Sequence, residues 1–231
     1  FLRPGTEPPL VATLEERLRL LADAGIEECY VVPFDASLAT LAPEAFMQGV
    51  LIERLGARGV AVGETFRFGH KRAGDAATMR AYFEPRDVAF AAVPSIAHDG
   101  ERVSSTRIRR LIADGELAAA DELLGASYEI RGVVERGAGR GHGLGFPTAN
   151  VAPPRKLLPR DGVYAAVARF DGRDYAALVS IGTNPTFGEG ARTVEAWLRD
   201  FHETIYGCEL ALRDLRFVQD ADRQTARHHE Y

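Results

Sequence analysis

The 231-residue chain reads as two domains, an α/β domain on a parallel sheet followed by a small antiparallel β-barrel. Three observations predict this. At about 100–200 residues per domain, the length asks for two. Up to Val93, short apolar runs alternate with segments of helical periodicity, the rhythm of a parallel sheet covered by helices. From Tyr128 onward helical periodicity nearly stops, and short strand-like runs follow one another between turn residues, as in an antiparallel barrel. The boundary falls near residues 125–127, giving domains of 1–125 and 126–231.

Thr13 followed by Glu16 is a capping box, and Leu14, Leu18 and Leu21 then share one face until Gly25, which predicts a helix over 13–24. Glu28 to Phe34 is short, apolar and rich in β-formers, as a buried strand should be. Pro43 opens a second amphipathic helix that carries Phe46, Val50, Leu51 and Leu55 and ends at Gly56. Gly59 to Gly63 and Val88 to Val93 are two more buried strands, with a helical stretch over 75–82 between them. Helices over Ser105–Ala113 and Glu116–Leu124 close the domain, ended by Gly115 and Gly125. The barrel strands are YEIRGVVERG, GVYAAVARF, DYAALVSIG, TVEAWLRDF and CELALRDLRFV.

At 46% hydrophobic and 26% charged, the composition is that of an ordinary globular protein and gives no indication of disorder. The net charge of −5 comes from interspersed residues of both signs, so no basic face for nucleic acid or anionic lipid is expected and small molecules are the expected partners. Cys29 and Cys208 stand without CxxC or Cys/His spacing, which argues against a disulfide framework or a zinc site and fits a reducing cytoplasm. No run reaches the ~18 apolar residues of a membrane span, and no signal segment opens the chain. The chain starts at Phe1 in the turn Arg3-Pro4-Gly5 and closes on the polar tail QDADRQTARHHEY, so residues are expected to be missing at both ends.

The most informative stretch is Arg140 to Asn150, RGHGLGFPTAN. Gly141, Gly143 and Gly145 alternate before Pro147 and allow close backbone approach to a ligand. Pro147 fixes its own φ and pushes Phe146 into an extended conformation, so the loop has a set shape. Thr148 and Asn150 then offer neutral oxygens on the same side of an extended segment, which suits Mg²⁺ shared with ATP phosphates. On spacing alone a Gly-rich turn between strands, with Thr and Asn as ordinary turn residues, is the commoner reading.

The whole string resembles the flavokinase signature ending in GFPTAN, and here the sequence looks like the bacterial bifunctional riboflavin kinase/FMN adenylyltransferase family, also called FAD synthetase. DGVYAA at Asp161–Ala166, IGTNPTF at Ile181–Phe187, TVEAWLRDF at Thr193–Phe201 and IYG at Ile205–Gly207 follow in the family's order. The resemblance implies a Rossmann-like nucleotidyltransferase domain before a flavokinase barrel. It implies a riboflavin kinase that moves the γ-phosphate of MgATP onto riboflavin to give FMN, with adenylylation of FMN to FAD in the full-length protein. Gly141, Gly143 and Gly145 would form the phosphate loop, Thr148 and Asn150 would hold Mg²⁺, and Glu195 would be the base. Strand alternation sets Thr193, Glu195 and Trp197 on one face, although a strand glutamate is by itself more often a solvated charge. Asn184 and Thr186 lie in a segment near the family's active site, and cap or turn roles around Pro185 would also account for them. Phe187 and Trp197 are candidates to stack on the flavin ring, but aromatics in a small barrel are usually core, and core is the favoured reading.

In the first domain, Val103 to Arg109, VSSTRIR, puts Ser104, Ser105 and Thr106 at a helix start with Arg107, Arg109 and Arg110 just inside. That spacing fits an anion site and an ordinary N-cap with a solvated basic face equally well. It resembles the family's SSTxIR nucleotide motif, which assigns ATP phosphates to Ser105, Thr106 and Arg109. VGETFRFGHKRAGD at Val62–Asp75 resembles the flavin-side loop, G-x-D/N-F-x-F-G with R-x-G-D after it, and places Thr65, Phe66 and Phe68 beside FMN. Thr65 stands where the family has an acid or amide, a departure that would weaken FMN recognition. Arg67, Arg72 and Asp75 fit surface ion pairs as well. The family's G-x-F-D-G-x-H-x-G-H loop has no counterpart here: His70, His98 and His142 lack its spacing, and His202, His228 and His229 read as solvent-facing. Truncation is the expected explanation, and a disabled partner domain is the other. The rival from a different class is a flavin- or nucleotide-binding module without turnover. Thr148, Asn150 and Glu195 together favour the enzyme, since a sensor needs a pocket but not a base.

Overall fold

A computed structural model describes residues 7–136, 148–183 and 192–220. The chain divides into two compact units, one of Phe1–Glu7 with Ile26–Val103 and one of Pro8–Gly25 with Ser104–Tyr231. Helix α1 (Leu14–Asp23) therefore belongs with the barrel.

The first unit carries α2 (Ala36–Ala39), capped by the Asp35 carboxylate, and α3 (Pro43–Ala45), which runs on into a π-helical segment, Phe46–Arg54. The expected amphipathic helix from Pro43 is thus mostly of the wider i→i+5 form. Strand β1 (Gly59–Gly63) pairs in parallel with β4 (Ala89–Val93). Between them lie the short antiparallel pair β2 (Arg67–Phe68) and β3 (Gly74–Asp75) and helix α4 (Ala76–Phe83). A second short hairpin joins β5 (Ala97–His98) to β6 (Glu101–Arg102). Met47, Phe68, Met79 and Phe83 form the buried core.

Two expectations change. Glu28–Phe34 forms no strand, and Tyr30, Val31, Val32 and Phe34 are each more than half exposed. Apolar β-formers supply propensity only; a ladder needs a hydrogen-bonded neighbour, and among the described residues this run has none. In α1 the buried residue is Glu16, while Leu14 and Leu21 remain partly exposed. The capping box with Thr13 forms as expected, and the same Glu16 carboxylate also meets the buried Lys156 ammonium at 2.8 Å.

In the second unit α5 (Ser105–Asp114) and α6 (Leu117–Leu124) precede a closed, six-stranded antiparallel barrel. Its strands are β7 (Ile130–Glu135), β8 (Thr148–Val151), β9 (Gly162–Phe170), β10 (Arg173–Thr183), β11 (Arg192–Leu198) and β12 (Glu209–Gln219). Round the barrel they run β10-β11-β8-β7-β12-β9. One cross-strand row, Val134–Val151–Val194–Ile181, is buried inside. Each such side chain removed from water contributes about 1.5–3 kcal/mol. Because the side-chain period is two, the neighbouring row must face outward. Gly132 permits a close approach here: a Cβ on it would lie 2.2 Å from the Ala152 carbonyl oxygen.

Candidate active site

The outward row is Glu135–Asn150–Glu195–Ser180 on β7, β8, β11 and β10. Thr148 pairs across with Trp197, and Trp197 with Leu178 on β10. Directly opposed residues in an antiparallel pair have Cβ atoms about 4.5–5.5 Å apart. Asn150 and Glu195, 45 positions apart in sequence, are thereby immediate neighbours, with Thr148 on the same face. All three are half-buried. Among the described residues no side-chain hydrogen bond or ion pair engages Thr148, Asn150 or Glu195. A cavity of about 190 Å³ reaches Thr148 and is otherwise lined by Val134, Ala149, Ala196 and Leu198 of the inward rows and by Phe201, His202, Thr204 and Tyr206 after β11; Asn150 and Glu195 do not line it. The Arg136 guanidinium lies 5.6 Å from the Tyr206 ring.

Trp197 is not a core residue. It sits half-buried on the outer face, because Val194, Ala196 and Leu198 take the inward positions of β11. Gly141, Gly143 and Gly145, and likewise Asn184, Thr186 and Phe187, lie outside the described residues. Leu178, Ser180, Glu135, Phe201 and Tyr206 were not singled out from sequence. Phe201 and Tyr206 fall within the TVEAWLRDF and IYG strings without a role of their own there, and Leu178, Ser180 and Glu135 carry no motif; strand register places these three on the outward face. Arg192, at the start of β11, donates to the carbonyl oxygens of Leu158 and Pro159 and to the Asp161 carboxylate, fixing the loop that leads from β8 to β9.

The remaining candidates occupy both units. In the second, Ser104 caps α5 by accepting from the Arg107 backbone N–H, and Ser105 and Thr106 are exposed in its first turn. The Arg109 Nε donates to the Pro9 carbonyl oxygen at 2.8 Å. In the first, Thr65 Oγ1 accepts from Arg102 at 2.9 Å, which occupies the hydroxyl that stands in place of the expected acid or amide. Phe66 is partly exposed and stacks on Phe68 at 5.7 Å, whereas Phe68 is buried in the core. Arg67 pairs with Asp75 at 2.6 Å, and Asp75 also caps α4. The Thr78 backbone N–H and hydroxyl, with help from Arg67, hold the Asp75 carboxyl below the usual range. Lys71 and Arg72 have left-handed backbone, with φ of 53° and 62°.

The fold and this face define a class: a flavokinase-type barrel joined in one chain to an α/β unit of the FAD synthetase type. The riboflavin kinase family pattern matches residues 124–226, and the FAD synthetase pattern matches residues 1–107. A bifunctional riboflavin kinase/FMN adenylyltransferase from Pseudomonas fluorescens is 31% identical over 92% of this chain and 68% of its own length. The corresponding protein from Listeria monocytogenes is 36% identical over 89% of this chain, and that from Escherichia coli K12 is 34% identical over 87%. A crystal structure described as a macrolide-efflux protein from Streptococcus pneumoniae superposes with a TM-score of 0.83 at 31% identity, covering 95% of this chain and 75% of that one. The chain belongs to the bifunctional riboflavin kinase/FMN adenylyltransferase family. It spans 66% of the Listeria protein and 64% of the Escherichia protein, just under two thirds of each.

Proposed function

We propose that the barrel is a riboflavin kinase, transferring the γ-phosphate of MgATP to the ribityl hydroxyl of riboflavin, and that the whole protein also adenylylates FMN to FAD. The observation that carries this reading is the register that sets Glu195 directly against Asn150 and keeps both on the face of Thr148. Glu195 accepts the hydroxyl proton as the oxygen attacks the γ-phosphorus, and the ADP oxygen leaves on the far side. The Thr148 hydroxyl and Asn150 amide oxygens are hard, neutral donors on one face, a set that fits Mg²⁺. When bound, the ion supplies neutralisation of phosphate charge. Gly141, Gly143 and Gly145 are assigned to the nucleotide phosphates beside Thr148. Asn184, Thr186, Phe187 and Trp197 are assigned to the flavin side; the outward position of Trp197 supports its part.

For adenylylation, Ser105, Thr106 and Arg109 are assigned to ATP and Thr65 and Phe66 to FMN. The burial of Phe68 supports a packing role for that ring rather than a flavin contact. The functional division is placed near residue 125, and the cytoplasm is the proposed setting. The pneumococcal structure shares this fold, and the reading for this chain follows its own site residues rather than that protein's description; among the described residues no helix is long and apolar enough to cross a membrane.

The test is to incubate the purified chain with riboflavin, ATP and Mg²⁺ and resolve riboflavin, FMN and FAD by chromatography. FMN alone is the expected product, since these 231 residues hold no counterpart of the family's histidine loop. FAD would overturn the account of the first unit, and absence of both products would favour a binding module.

A further inference from the structure

Asn150 is flanked on its outward row by two carboxylates, Glu195 on β11 and Glu135 on β7. Glu135 lies at the last position of its strand, exposed, one strand spacing from Asn150. Among the described residues neither carboxylate has an ion-pair partner, because the nearby cations are engaged elsewhere. Arg131 is held by Glu129 and Glu209, Arg192 by the loop before β9, and Arg136 lies over Tyr206. Two carboxylates thus flank Asn150, the residue that the kinase reading gives to Mg²⁺ and the phosphates. An anionic substrate is repelled by such a row unless a cation stands between.

We infer that Glu135 is a cation-binding residue of this barrel, adding a carboxylate to the neutral oxygens of Thr148 and Asn150. The inference rests on the kinase reading of that face. A glutamate side chain one strand away reaches an ion held over Asn150, whereas Glu195 on the opposite side stays available to the hydroxyl. Hard divalent cations bind more tightly as carboxylates replace neutral oxygens. This chain should therefore hold metal–nucleotide more tightly than it would with a neutral side chain at position 135.

The experiment titrates Mn²⁺ into the full chain with ADP present and reads free Mn²⁺ by electron paramagnetic resonance. Glu135→Gln is expected to weaken Mn²⁺ binding about tenfold, Glu135→Asp to fall between, and riboflavin binding, read by flavin fluorescence, to stay unchanged. The half-saturating Mg²⁺ for FMN formation should rise in parallel. If Glu135→Gln binds Mn²⁺ as tightly as the unaltered chain while that chain still makes FMN, the inference fails and the kinase reading stands. If the unaltered chain binds no Mn²⁺ with ADP and makes no FMN, both fail. Loss of riboflavin binding in Glu135→Gln would assign the residue to the flavin and overturn its role toward the cation.

Discussion

Glu195 and Asp75 are both carboxylates on short strands, and their neighbours give them different tasks. Glu195 is half-buried beside Asn150, with no protein donor among the described residues to satisfy it, an arrangement that favours reaction over stability. Glu195→Gln is expected to lower kcat for FMN formation by about 10²–10⁴-fold, with nucleotide affinity and thermal unfolding little changed. Steady-state kinetics beside a melting curve checks this, and loss of folding would remove the base assignment. Asp75, by contrast, accepts from the Thr78 backbone N–H and hydroxyl and pairs with Arg67. Its carboxyl is held low in the folded protein, so its contribution is present above the ordinary carboxylate range and is lost as pH falls through the folded value. Asp75→Asn should flatten the acid side of the first unit's stability curve, measured as melting temperature between pH 7 and pH 3. An unchanged acid limb would place the titrating group elsewhere.

Helix α1 docks by charge rather than by its leucines. Lys156, with 2% of its side chain exposed, donates to Glu16 at 2.8 Å and to the Glu129 carbonyl oxygen, and its ammonium lies 4.4 Å from the Tyr128 ring centre. Burial pushes the Lys156 pKa down, and Glu16 opposes that shift. Removing one member of such a pair leaves the other charge out of water, at a cost of about 3–5 kcal/mol. Glu16→Gln is therefore expected to destabilise the second unit by about that amount, and Glu16→Leu with Lys156→Met to recover most of it. Denaturant unfolding of the two variants checks the pair. Equal losses in both would show that packing of α1, not the ion pair, is what matters.

The two units differ in how completely they enclose their apolar residues. The barrel closes on itself and buries inward rows on all six strands, whereas among the described residues the first unit's parallel sheet is the two-stranded pair β1–β4, whose residues are exposed or half-buried. Closure removes open strand edges, and buried area sets the larger part of stability. Calorimetry should show two transitions, the first unit melting at the lower temperature. A single transition with equal calorimetric and van't Hoff enthalpies would mean that the chain unfolds as one unit.

The chain's order of domains, its helix starts at Thr13, Asp75 and Ser104, and the extended run Thr148–Asn150 were all legible in the sequence. Each depends on residues within three or four positions of one another, where capping and strand alternation act. The family was legible too, through motifs that keep their residues contiguous. Residues outside the run were harder: Glu28–Phe34 has strand propensity but joins no ladder among the described residues, and α1 has a leucine face but is held by Glu16. Trp197 could be read as core or as ligand-facing until the inward positions of β11 were seen to be taken. The meeting of Asn150 with Glu195, and of Asn150 with Glu135, is decided by tertiary structure alone. Which residues oppose each other across a barrel depends on register, and a shift of one residue would have turned each of these side chains to the other face.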